Sequence, residues 1–427
     1  TGPFDGIEVI EIGQFVAVPA CGQHLADGGA RVIKVEPVTG DPYRSISNTI
    51  APGESRHFIT TNRGKQSVAL DFTTPAGREI IEALVARADV VLTNLSPSAL
   101  RRHHLRDEDL RPLNPALVYG VVAGWGFDGP DAQRPAMDAV AQAASGLMWA
   151  LGAFDADGIP RHSEVPVADY TASTMLLAGV TTALLARQRD PEGRGQKVEV
   201  SLLGAALSLQ NSWFSAIERF DAWRDGFVDT ELPEMRRRGA HPDEIEQRRA
   251  RRRPDPLVRG GYRVLRTSDG YLSVGAASAP GRARLIEALG LVHLDGVDDD
   301  EGTLRQIDDA ARRHTTEALR ARLDAAGVGV SAVRHPEELV ADERLYEQGL
   351  VADFDHQVLG RYRSLVSPIG LSRDRFVARQ PAPLFGASTR EVLRELGRDD
   401  TAIDELVAAG AVADRWSEQP GDPGRRS

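Results

Sequence analysis

Short apolar runs that recur between helix-forming segments constrain this chain more than any other feature. Residues 7–12, 31–35, 89–93 and 117–122 are rich in Val, Ile and Leu, and each is too short for a stable helix. Residues 67–70 and 195–201 read as two further strands. Between them lie helix signals. Residues 21–28 form one short helical segment, and Thr74-Pro75 opens another that runs to Arg87. A long Ala, Leu and Thr-rich helix spans 169–189, and a shorter one 202–210. Apolar strands joined through helices make a parallel sheet with crossover connections. The expected fold class is therefore α/β, with a doubly wound, Rossmann-like large domain.

At 427 residues the chain is too long for one ordinary domain. The large-domain pattern occupies 1–215. Residues 216–259 are polar and arginine-rich, and read as a linker whose charges form a solvated helix surface interleaved with Asp243, Glu244 and Glu246. A smaller α+β domain is expected over 260–330, opening with a hairpin whose strands 262–265 and 271–274 flank Ser268-Asp269-Gly270. Helices near 281–289, 303–313 and 315–326 follow it. Residues 331–416 read as a linker and C-terminal segment, with a helix near 336–348, β-like pieces at 351–354 and 361–366, and a helix over 388–396. The polar 417–427 tail reads as disordered.

Charge and cysteine content narrow the function. A net charge of −11 argues against nucleic acid, whose phosphates demand a basic footprint. The single cysteine, Cys21, rules out an internal disulfide framework and fits a reducing cytosol, with Cys21 itself a packed small hydrophobe. The first residues show no basic region leading into an apolar core, and no apolar run reaches the length of a membrane span. The histidines lack His-Glu-x-x-His spacing, so no metal is expected. Without a Gly-x-Ser-x-Gly elbow, serine hydrolysis has no support.

Two loop carboxylates stand out instead. Asp169 opens the long apolar helix, where it suits either an N-cap or a reactive carboxylate kept ionised by the helix field, with backbone donors free for an oxyanion. Asp138 ends the Gly- and Pro-rich 124–137 loop and reads as a cap or as an acid/base partner. The turn from Asn62 to Ser67 carries Arg63 and Lys65, either solvated or facing a ligand. The 13–29 stretch lacks a true Gly-x-Gly-x-x-Gly and matches dinucleotide binding poorly.

Several segments taken together resemble the class III coenzyme A transferases, a family that also includes α-methylacyl-CoA racemase. They are Leu25-Ala26-Asp27-Gly28-Gly29-Ala30-Arg31-Val32-Ile33-Lys34-Val35-Glu36-Pro37, Asn62-Arg63-Gly64-Lys65-Gln66-Ser67-Val68-Ala69-Leu70-Asp71, Ala88-Asp89-Val90-Val91, Asn114-Pro115-Ala116-Leu117-Val118-Tyr119 and Gly193-Arg194-Gly195-Gln196-Lys197-Val198. The resemblance implies a large domain built from both chain ends, a smaller domain between them, and an interlocked homodimer. It implies that Asp169 attacks an acyl-CoA thioester, forming first an aspartyl anhydride and then an aspartyl-CoA thioester that an acceptor carboxylate resolves. Asp138 would orient the site. CoA contacts carry over to Val16, Ala17, Asn94, Leu95 and Arg102, and to Arg63 and Lys65 at the nucleotide end. CoA is here a substrate, and no separate cofactor is implied.

The chain departs from the family at three places. Met137 stands where the racemase has a histidine, which leaves racemisation as the alternative activity and non-catalytic CoA binding as a third reading. No polyglycine loop lies near Arg259-Gly260-Gly261, which argues against formate or oxalate as substrate. Gly386-Ala387-Ser388-Thr389 replaces the Gly-Glu-His-Thr of many members.

Overall fold

The computed structural model describes residues 2–252, 261–291 and 301–416; the 417–427 tail and residues 253–259 of the Arg-rich stretch lie outside them. The chain divides into two compact units. One joins 1–215 to 344–427, and the other spans 216–343.

The first unit is built on strands β1 (Glu8–Ile12), β2 (Arg31–Glu36), β5 (Gln66–Leu70), β6 (Val90–Thr93), β7 (Val118–Ala123) and β8 (Lys197–Ser201), with the small hairpin β3 (Thr49–Ala51) and β4 (Glu54–Ser55) outside the sheet. Across the sheet the order is β5-β2-β1-β6-β7-β8, all parallel. A seventh strand, Val412–Ala413, pairs antiparallel with β5 and brings the C-terminal segment back to the edge. The result is a mixed α/β fold with a large, mainly parallel sheet.

Strand alternation sends side chains to both faces, and helices cover both. Helices α1 (Ala17–Asp27), α2 (Arg56–Thr61), α3 (Pro75–Arg87), α4 (Pro97–Arg102), α5 (Asp107–Leu110), α6 (Asp138–Ala144), α7 (Leu147–Ala150), α8 (Val167–Arg189) and α9 (Leu202–Ser208) follow in chain order. Val9, Val32, Val90, Leu92 and Val118 meet α1 and α8 on one face. Ile10, Ile33, Val68, Val91 and Tyr119 meet α3 and the C-terminal helices Thr389–Glu395 and Asp400–Ala408 on the other. α8 lies close because β7 carries Gly120, where a Cβ would stand 2.8 Å from Leu92 and 3.2 Å from both Leu176 and Val180. α1 begins at Ala17, four residues before the expected start.

In the second unit, Tyr262–Arg266 and Tyr271–Gly275 form the expected hairpin, and Val330–Ala332 adds a third antiparallel strand. Helices Ala279–Ala288, Glu301–Ala311 and Thr316–Ala325 close its core. Residues 216–252 are largely helical and cluster with this unit, and most of their arginines are paired. Glu231 holds Arg248 and Arg252, Glu244 holds Arg238, and Glu246 holds Arg249. The helix expected over 336–348 is two short helices, Pro336–Leu339 and Glu343–Glu347.

The α1 face of the sheet carries a polar stripe at its carboxyl end. Glu11 and Lys34 are register partners there, and both side chains are fully buried. α1 passes over them at Gly22, where a Cβ would come within 1.9 Å of the Glu11 carboxylate. Gly22→Ala should therefore lower stability by about 2–3 kcal/mol in urea denaturation, an overpacking effect. Gly226→Ala, in a short helix with nothing within 4 Å of its Cβ position, should be neutral or slightly stabilising.

Candidate active site at the sheet switch point

From β1 the chain winds outward through β2 to β5, then restarts beside β1 at β6 and winds the other way. The loops after β1 and β6 therefore diverge and leave a crevice at the carboxyl edge, the usual ligand position in such sheets. Asn94, just after β6, spans it. Its Oδ1 accepts the Gln14 N–H (2.9 Å) and its Nδ2 donates to the Gln14 carbonyl (2.8 Å), fixing the β1–α1 loop. Phe15 in that loop is held at φ 63°, the left-handed region. Val16 and Ala17 follow with side chains packed in the core, so any ligand contact there falls to their main chain.

Buried charges hold this edge together. Lys34 Nζ lies 3.1 Å from Glu11 Oε1 and 2.9 Å from Asp41 Oδ2, and donates to the Gly13 carbonyl at 2.8 Å. Lys65 Nζ pairs with Glu11 at 2.7 Å and donates to Pro19 O and Asn62 Oδ1, both at 2.8 Å. Burial pushes this ammonium down to about 8, against the opposing pull of Glu11. Asp41 Oδ1 accepts the Tyr43 N–H (2.9 Å) and the Phe15 N–H (3.4 Å). The next layer is Arg44, which grips Glu36 through Nε (2.7 Å) and Nη2 (2.9 Å) and lies 3.5 Å over the Phe58 ring.

α8 crosses over between β7 and β8. Its far end is tied by Arg187 to Asp89 (2.7 Å) and to the Ala116 carbonyl (3.1 Å), before β6 and β7, so its first turn stands at the carboxyl edge. Asp169 is the third residue of that helix and caps nothing. Asp138 does the capping from outside. Its Oδ1 accepts the N–H groups of Ala168 (2.8 Å) and Asp169 (3.0 Å), and its other oxygen accepts from Gln142. Gln142 is buried and in turn accepts the Ser163 N–H at 3.0 Å. The expectation of free donors in this turn is thus corrected. The Val167 and Tyr170 N–H groups are also taken, by the carbonyls of Val165 (2.8 Å) and Pro166 (3.0 Å).

The expectation that the helix field keeps Asp169 ionised is corrected as well. Burial, and then the charge of Asp138, push its carboxyl up to about 7. With its nearest amides already satisfied by Asp138, the helix terminus offers too little to offset desolvation. The Asp169 carboxylate accepts no hydrogen bond from the described residues, so it is a basic oxygen pair left open.

The remaining expected contacts divide sharply. Leu95, just after β6, lines a cavity of about 310 Å³ with Arg101, Tyr119, Phe127 and Lys197, on the β7 and β8 side. Arg102 ends α4 on the surface. Arg63 and Lys65 are not placed to meet phosphates. Arg63 pairs with buried Asp27 at 2.5 Å and donates to the Leu365 carbonyl, while Lys65 serves Glu11. Met137 precedes Asp138 and is 53% exposed. Among the described residues, no cluster of three or more His, Cys, Asp or Glu could hold a metal, and no helix is long and apolar enough to cross a membrane.

Sequence reasoning passed over Tyr43 and His57. They stack with centroids 5.0 Å apart, and burial pushes the Tyr43 phenol up to about 12. Nothing in their spacing signals this. Gln142, four residues after Asp138 on one helix face, was the legible partner.

Two outcomes follow from the raised Asp169 carboxyl. Folding gives it a proton that the unfolded chain releases at lower pH, so stability is lost as pH rises through about 7. Asp169→Asn should melt roughly 2–4 °C above the wild type at pH 8, the gap narrowing as the pH falls through 7 toward 4, by calorimetry. Asp138→Asn removes the neighbouring charge and should move the Asp169 midpoint below 7, read from the acidic limb of activity against pH.

Comparison with known proteins completes the assignment. The model of CoA-transferase family III matches residues 4–389. The chain is 27% identical to mouse (Mus musculus) succinyl-CoA:glutarate CoA-transferase, covering 96% of this chain and 90% of that one. It is 30% identical to succinate–glutarate CoA-transferase of Agrobacterium fabrum, covering 92% and 96%. The crystal structure of Rv3272 from Mycobacterium tuberculosis shares the fold, with a TM-score of 0.73 at 24% identity over 92% of this chain and 99% of that one. A CAIB/BAIF family protein from Brucella suis superposes with a TM-score of 0.70 at 25% identity, over the same shares of the two chains. A family match along nearly the whole chain, relatives of comparable length and a common fold agree that this chain is an enzyme of CoA-transferase family III.

Proposed function

We propose that the chain moves CoA from an acyl-CoA thioester to a carboxylic acid by covalent catalysis at Asp169. One observation carries this reading: Asp169 presents an open carboxylate, raised to about 7, on the first turn of α8 at the carboxyl edge of the sheet. A carboxylate of raised basicity is a stronger nucleophile once ionised, and here it pays no cost to break existing hydrogen bonds. It attacks the thioester carbon, the carbonyl pair moves to oxygen, and collapse expels CoA thiolate to leave an aspartyl anhydride. Thiolate attack then gives the aspartyl-CoA thioester, which the acceptor carboxylate resolves. Asp138 holds the first turn of α8 in place and keeps Asp169 basic.

CoA enters along the switch-point crevice, past the main chain of Val16 and Ala17, with Asn94 and Leu95 beside it and Arg102 offering charge to phosphate. Dicarboxylic acids are the acceptor class to test first, with succinyl-CoA as donor, following the names of the mouse and Agrobacterium fabrum relatives. The working form is a cytosolic interlocked homodimer. Met175, Leu185, Leu209 and Phe214, all exposed on the first unit, give it apolar surface to cover. Racemisation is disfavoured because Met137 cannot carry a proton.

Mixing the protein with succinyl-CoA, quenching with hydroxylamine and digesting for mass spectrometry should give a hydroxamate at Asp169. Asp169→Ala should lower transfer by at least about 10³-fold. An unmodified Asp169, or undiminished transfer by Asp169→Ala, would overturn the covalent reading.

A further inference from the structure

Five serine and threonine hydroxyls lie along α8, and four of them are committed to the helix itself. Thr171, Thr174, Thr181 and Thr182 each donate to the carbonyl four residues back, at 2.7–3.0 Å. Ser173 does not. Its residue is 1% exposed, and its buried hydroxyl has no hydrogen-bond partner among the described residues. The helix offers Ser173 the same carbonyl bond that its neighbours make. A buried hydroxyl left unpaired is costly, so its persistence calls for a reason.

Four residues before Ser173 stands Asp169, on the same unbroken helix. Positions i and i+4 share one helix face, with Cβ atoms about 5–6 Å apart. Each Cα–Cβ bond leans toward the helix start, so the Ser173 side chain leans back over the turn that carries Asp169. The two groups complement each other. One is a donor with no acceptor, and the other is a carboxylate that accepts nothing from the described residues. They are not bonded to each other, and a rotation of Ser173 about χ1 between staggered wells brings them together. Competing donors are taken. All four leading N–H groups of α8 go to Asp138, Val165 and Pro166, and Arg63 and Lys65 are locked in buried pairs.

The covalent reading above, on which this inference rests, makes Asp169 an electrophile as well as a nucleophile. In the first attack the oxyanion forms on the substrate's acyl oxygen. Once the anhydride exists, the thiolate sulfur adds to Cγ of Asp169, and the carbonyl π pair moves onto the Asp169 oxygen. Collapse returns that pair, breaks the Cγ–O bond to the acyl group, and the acyl carboxylate leaves with the bonding electrons. The acceptor carboxylate then adds at the same Cγ and expels CoA thiolate. Both oxyanions sit on the protein's own oxygen. We propose that the Ser173 hydroxyl donates a hydrogen bond to the Asp169 side-chain oxygen as these two tetrahedral intermediates form. Ser173 lends its hydrogen and transfers no proton.

Ser173→Ala removes one oxygen and little else. It should lower kcat about 10²-fold, the usual loss for one oxyanion donor. After mixing with succinyl-CoA and rapid acid quenching, intact mass should show the CoA adduct on the enzyme building about 10²-fold more slowly than in the wild type. Because the lost hydroxyl is buried and unpaired, the same variant should melt at or above the wild-type temperature by calorimetry. Thr174→Ala, which removes the neighbouring hydroxyl on the exposed side of α8, should keep kcat within about threefold of wild type, far less than one oxyanion donor is worth. The assignment is overturned by a Ser173→Ala enzyme that matches the wild type in kcat and adduct rate, or by a Thr174→Ala enzyme that loses as much as Ser173→Ala. It is overturned equally if Ser173→Ala loses activity and thermal stability together, since that is a packing effect. A wild type that forms neither CoA adduct nor hydroxamate at Asp169 defeats the covalent reading and Ser173 with it. A wild type that forms both, beside an unimpaired Ser173→Ala enzyme, removes Ser173 alone.

Discussion

The carboxyl edge of the sheet depends on one buried charge cluster. Glu11 on β1 and Lys34 on β2 face each other across the ladder, with Lys65 and Asp41 completing a set of two cations and two carboxylates. Desolvating four such groups is expensive, and removing any one would strand its partner at about 3–5 kcal/mol. The cluster therefore permits few arrangements. Gly22 exists to let α1 close over it, and Asp41 extends its order outward to the main chain of Phe15 and Tyr43. Interior electrostatics thus set the position of groups that stand at the crevice.

A second constraint is the competition for the first turn of α8. Helix termini commonly stabilise anions, and a lone aspartate there would sit below its ordinary range. Here Asp138 takes the two amides that would have solvated Asp169, and adds a like charge of its own. One carboxylate is satisfied at the expense of the other. Two acids on neighbouring helices thereby acquire different duties, one as a fixed cap and one as an open base.

Most of the fold was legible because the strands announce themselves. Residues 7–12, 31–35, 67–70, 89–93, 117–122 and 195–201 all contribute to the parallel sheet, within a residue or two at their ends. The strand at Val412–Ala413 was not legible, since two residues carry no periodicity and their pairing with β5 spans more than 300 positions of chain. Asp138 and Asp169 were legible as loop carboxylates before apolar runs. Arg63 and Lys65 looked like a ligand turn because a charged turn is normally solvated; burial among Asp27, Glu11 and Asn62 comes from the docking of distant segments.

The sequence by itself determined the α/β class and the doubly wound direction of the chain, and it marked two acids at helix starts, because these follow from local periodicity and residue chemistry. Tertiary structure alone decided that Asp138 caps a helix starting 29 residues later, that Asp169 is left protonatable near neutrality, and that Tyr43 stacks on His57. The physical reason is desolvation. Whether a charge is exposed, paired or buried depends on which distant groups pack around it, and no local pattern encodes that.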